Sequence, residues 1–342
     1  MNLLISHRSP YAPHVEFVER KGVGHPDTIC DALAEDLARR LAVAYLQTTG
    51  RVQAFNVDKA VLAAGSVDVG FGDGRHTKPS KLVLVGKADF GSGYEPDVEA
   101  LAVAYHAKLL EILPDADPDA FQVEVWLNQS SADLQEVVTR SVASAPLAND
   151  TSFAAVSLPR SPLEEMVHRV ETRLNNPTYR SEVPVGRDIK VMGARNQDGA
   201  RLTVAAPVMA RRVDNRSDYD DVVETVRDTS VRLATEIFGD DVEVAVNQAD
   251  TTDSAYLTLS GTSAEAGDDG QVGRGNRFGG LITPYRPMSL EAAAGKNPAA
   301  HVGKTYHAVG CDIADRLIAE SDISEVTVRL LSSIGHPVTD PQ

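Results

Sequence analysis

The chain has 342 residues, 42% of them apolar and 24% charged, which suits a soluble globular protein of two or three subdomains better than one simple core. Its 49 acidic residues outnumber 33 basic ones for a net charge of −16, and aromatics make up 5% with a single Trp126. The charge argues against a duplex-binding face and the scarce aromatics against base-stacking platforms, so no nucleic acid partner is expected. No apolar run reaches the length of a membrane span, and MNLLISHRSPYAPHVEF lacks the apolar core of a signal peptide. No membrane partner is expected, and the cytoplasm is the expected location.

In chain order, ERKGVGHPDTICD (19–31) is the first informative stretch. Ile29, Leu33, Leu37, Leu41 and Tyr45 recur every four residues behind it, which predicts a helix over 27–47. Pro26 suits that helix's first turn, where free N–H groups form an anion site. His25 there could donate to a phosphate or a leaving oxygen, and Asp27 could hold Mg²⁺; equally, Asp27 could be a favourable first-turn charge and His25 an exposed loop residue. In FNVDKAVLAAG (55–65), Asp58 and Lys59 interrupt an apolar strand. One of the two faces a core or pocket, unless both serve as edge charges against aggregation.

Alternation predicts further strands at 81–90, 121–127, 201–211, 241–247, 255–261 and 325–331. Helical spacing predicts helices at 97–113, 132–143, 162–175, 218–238 and 309–320. The order is not strict βαβ, so the fold class is α+β, with helices on one face of mixed or antiparallel sheets. Subdomain boundaries are expected near 95–120 and 190–240, and the polar runs 195–201 and 214–220 read as connections. Cys30 and Cys311 both lie in helical segments among apolar neighbours, which predicts reduced packing residues rather than a disulfide. Asn149, Asp150, Thr151 and Ser152 suit either a helix cap or a ribose contact, and Lys190 opens a strand as a possible phosphate ligand.

GTSAEAGDDGQVGRGNR (261–277) concentrates glycines, arginines and carboxylates. Exposed backbone N–H groups, basic side chains and acidic ones together suit an anion carrying a metal, although a polar surface turn has the same composition. The stretch continues as LITPYRPMSLEAAAGKNPAAHVGKTY (281–306), with Lys296, His301 and Lys304. This is not the phosphate loop GxxxxGK[ST]: Asn297 follows Lys296 and the required glycine is missing.

Residues 19–31, 146–153, 188–193 and above all 261–306 closely resemble the S-adenosylmethionine synthetase (methionine adenosyltransferase) family in its archaeal-type branch. The likeness runs, more loosely, from about residue 14 to the end. The resemblance implies three similar α+β subdomains around a pseudo-threefold axis, all within one unit over 1–342. It implies formation of S-adenosylmethionine from ATP and L-methionine by displacement of triphosphate at C5′, followed by hydrolysis to phosphate and pyrophosphate. It also implies a homodimer with shared sites, Mg²⁺, and K⁺ as an accompanying cation.

By matching motifs, His25, Lys190, Arg274 and Lys296 look like the catalytic set around the polyphosphate. Glu19, Asn149, Asp150 and Lys304 look like further ATP contacts, with His301 beside them. Asp268 and Ile334 look like methionine contacts, and Asp27 looks like the metal ligand. The sequence also departs from the pattern. It ends at Gln342, where archaeal-type relatives continue with a strand and helix. Phe55 stands in place of a common histidine, and Asn128–Ser131 replace a more glycine-rich turn near the nucleoside, which predicts tolerance of a second nucleoside triphosphate. Two other readings stay open: the same displacement with another nucleoside triphosphate or a methionine analogue, and a catalytically idle nucleotide-binding paralogue.

Overall fold

A computed structural model describes residues 4–341, apart from 8, 10–12, 92, 134, 137–144 and 241. Three sheet-and-helix units each enclose a separate apolar core. In the first, β1 (Glu16–Lys21), β8 (Lys190–Asn196), β9 (Gly199–Ala205) and β11 (Val242–Val246) form a mixed sheet in that order. Helices α3 (Pro162–Leu174) and α5 (Arg216–Phe238) cover one face, burying Val18, Val191 and Leu202 against Leu163, Val167 and Val226.

In the second unit the order is β13 (Gly270–Gln271), β2 (Phe55–Ala63), β5 (Ser80–Ala88) and β6 (Phe121–Gln129). Here α1 (Pro26–Thr49) and α2 (Val98–Ile112) bury the four-residue stripe Ile29, Leu33, Leu37, Leu41 and Tyr45 against Leu62, Leu82 and Leu84. Helix α1 ends at Gly50, whose φ of 74° the absence of a Cβ makes accessible. In the third unit, β7 (Ser152–Leu158) pairs antiparallel with β14 (Val326–Ser332) beneath α6 (Val302–Glu320). The hairpin β3 (Ser66–Gly70) and β4 (Asp73–Lys78), the short pair β10 (Val208–Met209) and β12 (Leu257–Thr258), and helix α4 (Pro177–Glu182) complete the described elements.

The α+β class and most predicted elements appear where periodicity places them; several bounds differ for local reasons. The strand expected over 201–211 stops at Ala205, because Pro207 cannot donate to a ladder, and the chain re-enters pairing only at Val208. That expected over 255–261 shrinks to two residues. Helix α6 starts at Val302, seven residues earlier than expected, with His301 as its cap. The supposed connection 195–201 is the turn of the β8–β9 hairpin, and α5 starts inside 214–220 behind the cap Asn215. Most of the helix expected over 132–143 falls on residues outside the described ones. Both cysteines are free, Cys30 buried as expected but Cys311 only partly.

Candidate functional site

The turn between β1 and α1 is held flush against the approach to β8. Gly22 and Gly24 donate to the carbonyls of Ile189 and Arg187 at 2.7 and 3.1 Å, and a Cβ at either glycine would overlap that backbone. His25 caps α1, its Nδ1 accepting the Asp27 N–H at 3.2 Å. Burial first, and the Lys21 ammonium second, push its pKa down to about 4. The imidazole is therefore neutral near pH 7, and because Nδ1 accepts, Nε2 carries the proton. The exposed loop reading for His25 is thereby corrected: the side chain is buried at a helix N-terminus.

His25 lines a cavity of about 470 Å³ with Asp188, Lys190, Gln248, Tyr256 and Asp268. Lys190, the first residue of β8, lies 3.1 Å from Glu19 on the neighbouring strand. Asp188 is fully buried, and burial pushes its pKa up to about 7 even though it accepts the Ser263 N–H at 2.8 Å. The Ser263 hydroxyl touches Asp188 and also lies 3.0 Å from Asp268 Oδ2. Across the cavity, Asn247 is held at φ 47°, where its amide bonds Ala206 N–H and C=O and the Tyr219 hydroxyl.

Asp27 is buried. One oxygen accepts the Lys21 ammonium at 2.9 Å and the other the Gln271 N–H at 2.8 Å. Arg274 is exposed on the loop after β13, and among the described residues its guanidinium has no ion-pair partner.

The remaining expected residues form a second cluster. The register between β2 and β5 slips between Asn56 and Lys59. There Asp58 turns inward to Lys296 at 3.2 Å while Lys59 stays exposed and pairs with the other Asp58 oxygen at 2.6 Å, so Asp58 is the inward-facing member of the two. Lys296 is buried and also pairs with Glu291. His301 Nε2 lies 3.5 Å from Asp150, and burial with the Lys296 charge lowers its pKa. Lys304 bridges Glu35 of α1 at 2.8 Å and the Lys296 carbonyl at 2.7 Å. Asn149 donates its N–H to Ala300 at 3.0 Å. Its Oδ1 is buried without a hydrogen-bond partner among the described residues. Ile334, 56% exposed, donates its N–H to Thr151 Oγ1 at 3.0 Å.

His25, Lys190 and Asp268 thus line the first cavity, Glu19 pairs with Lys190, Asp27 is joined through Lys21 to the Arg274 carbonyl, and none of the second cluster lines the cavity. The two are spaced along one face of α1: Glu35 lies eight residues beyond Asp27, roughly 12 Å at 1.5 Å per residue. Asn128 and Ser130 lie off the cavity too. Asn128 is exposed near the end of β6, and Ser130 is buried against the Ala54 carbonyl at 3.1 Å. Phe55 is a core residue stacked on Tyr45. Sequence reasoning missed Lys21, Glu35, Asp188 and Ser263. The first and third stand inside the stretches 19–31 and 188–193 already singled out, but nothing in spacing shows that they are buried.

No group of three His, Cys, Asp or Glu side chains among the described residues could hold a metal ion by itself. Nor is any helix among them long and apolar enough to cross a membrane.

Comparisons with known proteins identify the family. Residues 4–342 match the sequence model of the S-adenosylmethionine synthetase (AdoMet synthetase) family. The chain is 44% identical to a probable S-adenosylmethionine synthase of Aquifex aeolicus, over 97% of this chain and 85% of that protein. It is 43% identical to the S-adenosylmethionine synthase of Haloquadratum walsbyi, over 96% and 83%. Its fold is similar to that of an unusual S-adenosylmethionine synthetase from Campylobacter jejuni, with a TM-score of 0.62, 15% identity, and coverage of 94% of this chain and 78% of that one.

Proposed function

This chain belongs to the S-adenosylmethionine synthetase family, and from that premise we propose that it joins ATP to L-methionine in the cavity beside His25. The thioether sulfur attacks C5′, the C5′–O bond breaks, and the triphosphate leaves with that electron pair. Water then cleaves it to phosphate and pyrophosphate. A thioether is nucleophilic without losing a proton, so the first step needs no general base. The demand falls on a leaving group of about four negative charges, which alignment and fixed positive charge must stabilise.

The observation that carries this reading is the neutral, buried His25 at the N-terminus of α1, lining one cavity with Lys190 and Asp268. Its Nε2–H donates to the departing 5′ oxygen. Lys190 and Arg274 grip the phosphates, and Asp268 takes the methionine ammonium.

Asp27 suits Mg²⁺. Each of its oxygens accepts one hydrogen bond and keeps a lone pair, and Mg²⁺ takes one or two carboxylates with phosphates and water supplying the rest. Bound there, the ion would neutralise phosphate charge. The free thiols of Cys30 and Cys311 are in keeping with a reducing, cytoplasmic setting.

The second cluster finds its place in a homodimer, where the partner's copy of Lys296, His301 and Lys304 reaches the cavity. The sheet faces that no helix covers carry large exposed side chains: Phe17 (43%) and Met192 on the first sheet, Val61 and Trp126 (54%) on the second, Phe153 and Leu331 on the third. Exposed apolar side chains on uncovered sheet faces favour association.

Incubation with ATP, L-methionine and Mg²⁺, read by mass spectrometry, tests the activity. S-adenosylmethionine, phosphate and pyrophosphate are expected. Phosphate release with methionine present but no sulfonium product overturns it.

A further inference from the structure

Lys21 ends β1 with its side chain almost wholly buried, and its ammonium has two acceptors: Asp27 Oδ2 at 2.9 Å and the Arg274 carbonyl at 2.8 Å. Its own peptide is bracketed by Asn276, whose Oδ1 accepts the Lys21 N–H at 2.9 Å and whose Nδ2 donates to the Lys21 carbonyl at 2.7 Å. The loop between Gly270 and Asn276 lies flush on the first turns of α1. A Cβ at Gly270 would overlap Pro26, and one at Gly275 would overlap the Asp31 carboxylate. Gln271 N–H and Gly273 N–H are anchored on Asp27 and Asp31, each at 2.8 Å.

Arg277 holds the flanking Gly273 and Gly275 carbonyls at 2.6 and 3.1 Å and the Arg274 N–H donates to Gln271 at 3.4 Å, while the side-chain contact to the Arg274 carbonyl is made by Lys21. Arg274 is exposed and its guanidinium has no ion-pair partner among the described residues, so its placement depends on where its main chain is held. A neutral residue could end β1 equally well, and burying an ammonium is unfavourable unless its acceptors are fixed.

We propose that Lys21 is a positioning residue: its buried ammonium clamps the Arg274 main chain to the Asp27 carboxylate and so sets where the Arg274 guanidinium meets the polyphosphate. The inference rests on the reading of Arg274 given above.

The test is a double-mutant cycle on Lys21→Met, Arg274→Ala and the pair, read by calorimetric binding of inorganic tripolyphosphate and by sulfonium formation. Lys21→Met should weaken tripolyphosphate binding ~10-fold, the size of a small misplacement of a charge donor. It should add nothing in the Arg274→Ala background, since a residue that acts through another is not additive with it. Lys21→Arg, whose fork can span the same two acceptors, should stay within ~3-fold of wild type. Should Lys21→Met lack a cooperative thermal transition, Lys21→Gln, which keeps one donor without the charge, runs the same cycle. Full additivity, or wild-type binding in the neutral variant, overturns the clamp. Wild-type protein that makes no sulfonium overturns the proposed activity and leaves the binding cycle to decide on Lys21.

Discussion

Replacing Asp188 by Asn should change how the protein's stability depends on pH. Asp188 is buried in the cavity wall with a pKa near 7 against an ordinary 3.8, a rise of about three units. At ~1.4 kcal/mol per unit, ionising it in the folded protein costs roughly 4 kcal/mol more than ionising it in the unfolded chain.

Burial is the main cause of the rise, and the Asp268 carboxylate adds to it; the Ser263 hydroxyl and N–H, which donate to Asp188, offset only part of that cost. The folded pKa is raised, so the native state holds a proton that the unfolded chain has released. The stability that this proton contributes is fully present below about pH 4 and is lost as pH rises through about 7. Asp188→Asn cannot titrate. Urea unfolding of both proteins at pH 5 and pH 8 should therefore show wild type losing a few kcal/mol more than the variant over that interval. Identical pH dependence in the two would refute the argument.

Three further outcomes follow from the site. Arg274→Ala and Lys296→Ala should each slow sulfonium formation by at least ~10²-fold, the order seen when one preorganised charge donor is lost; wild-type rates in both would make these residues structural. Lys304→Met should leave the Lys296 carbonyl unpaired and Glu35 with only the Gly295 N–H, and lower the thermal midpoint by a few degrees, as for a loss of roughly 1–2 kcal/mol; an unchanged midpoint would show that the α1–α6 contact is solvent-compensated. Asn128 and Ser130 lie off the cavity, so with equimolar ATP, GTP, CTP and UTP the Asn128→Gly and Ser130→Gly protein should give the wild-type product ratio; a changed ratio would bring that turn back to the base.

What the sequence made legible was whatever repeats or stands out in one dimension. The four-residue stripe of α1 is visible because one face of a helix must be apolar along its whole length. His25-Pro26-Asp27 is visible because capping chemistry is local. Lys21 and Asp188 were not, because each is defined by partners far along the chain: Lys21 by Arg274 and Asp188 by Ser263. A charged residue inside a motif reads the same whether it faces solvent or is clamped inside. The early start of α6 was hidden for a different reason: its first turn carries Gly303 and Lys304, which interrupt the apolar pattern, while the cap comes from a histidine rather than a serine or aspartate.

The division of the expected residues into two clusters spaced along α1 leads to the last prediction. If each site takes His25 from one subunit and Lys296 from the other, His25→Ala and Lys296→Ala chains are complementary lesions. In a mixed dimer of the two, one site carries both substitutions and the other carries neither, because a two-fold axis exchanges the same pair of surfaces. Random exchange of equal amounts makes half of the dimers mixed, so restored activity should approach about a quarter of wild type, one intact site in every four. If instead His25 and Lys296 of one chain served the same cavity, every site would carry a lesion and mixing would restore nothing. The assay is sulfonium formation after the two inactive proteins are co-refolded from denaturant, with each refolded alone as the control. Recovery far below a quarter, with mixed dimers demonstrated by differently tagged chains, would place both clusters at work within a single subunit.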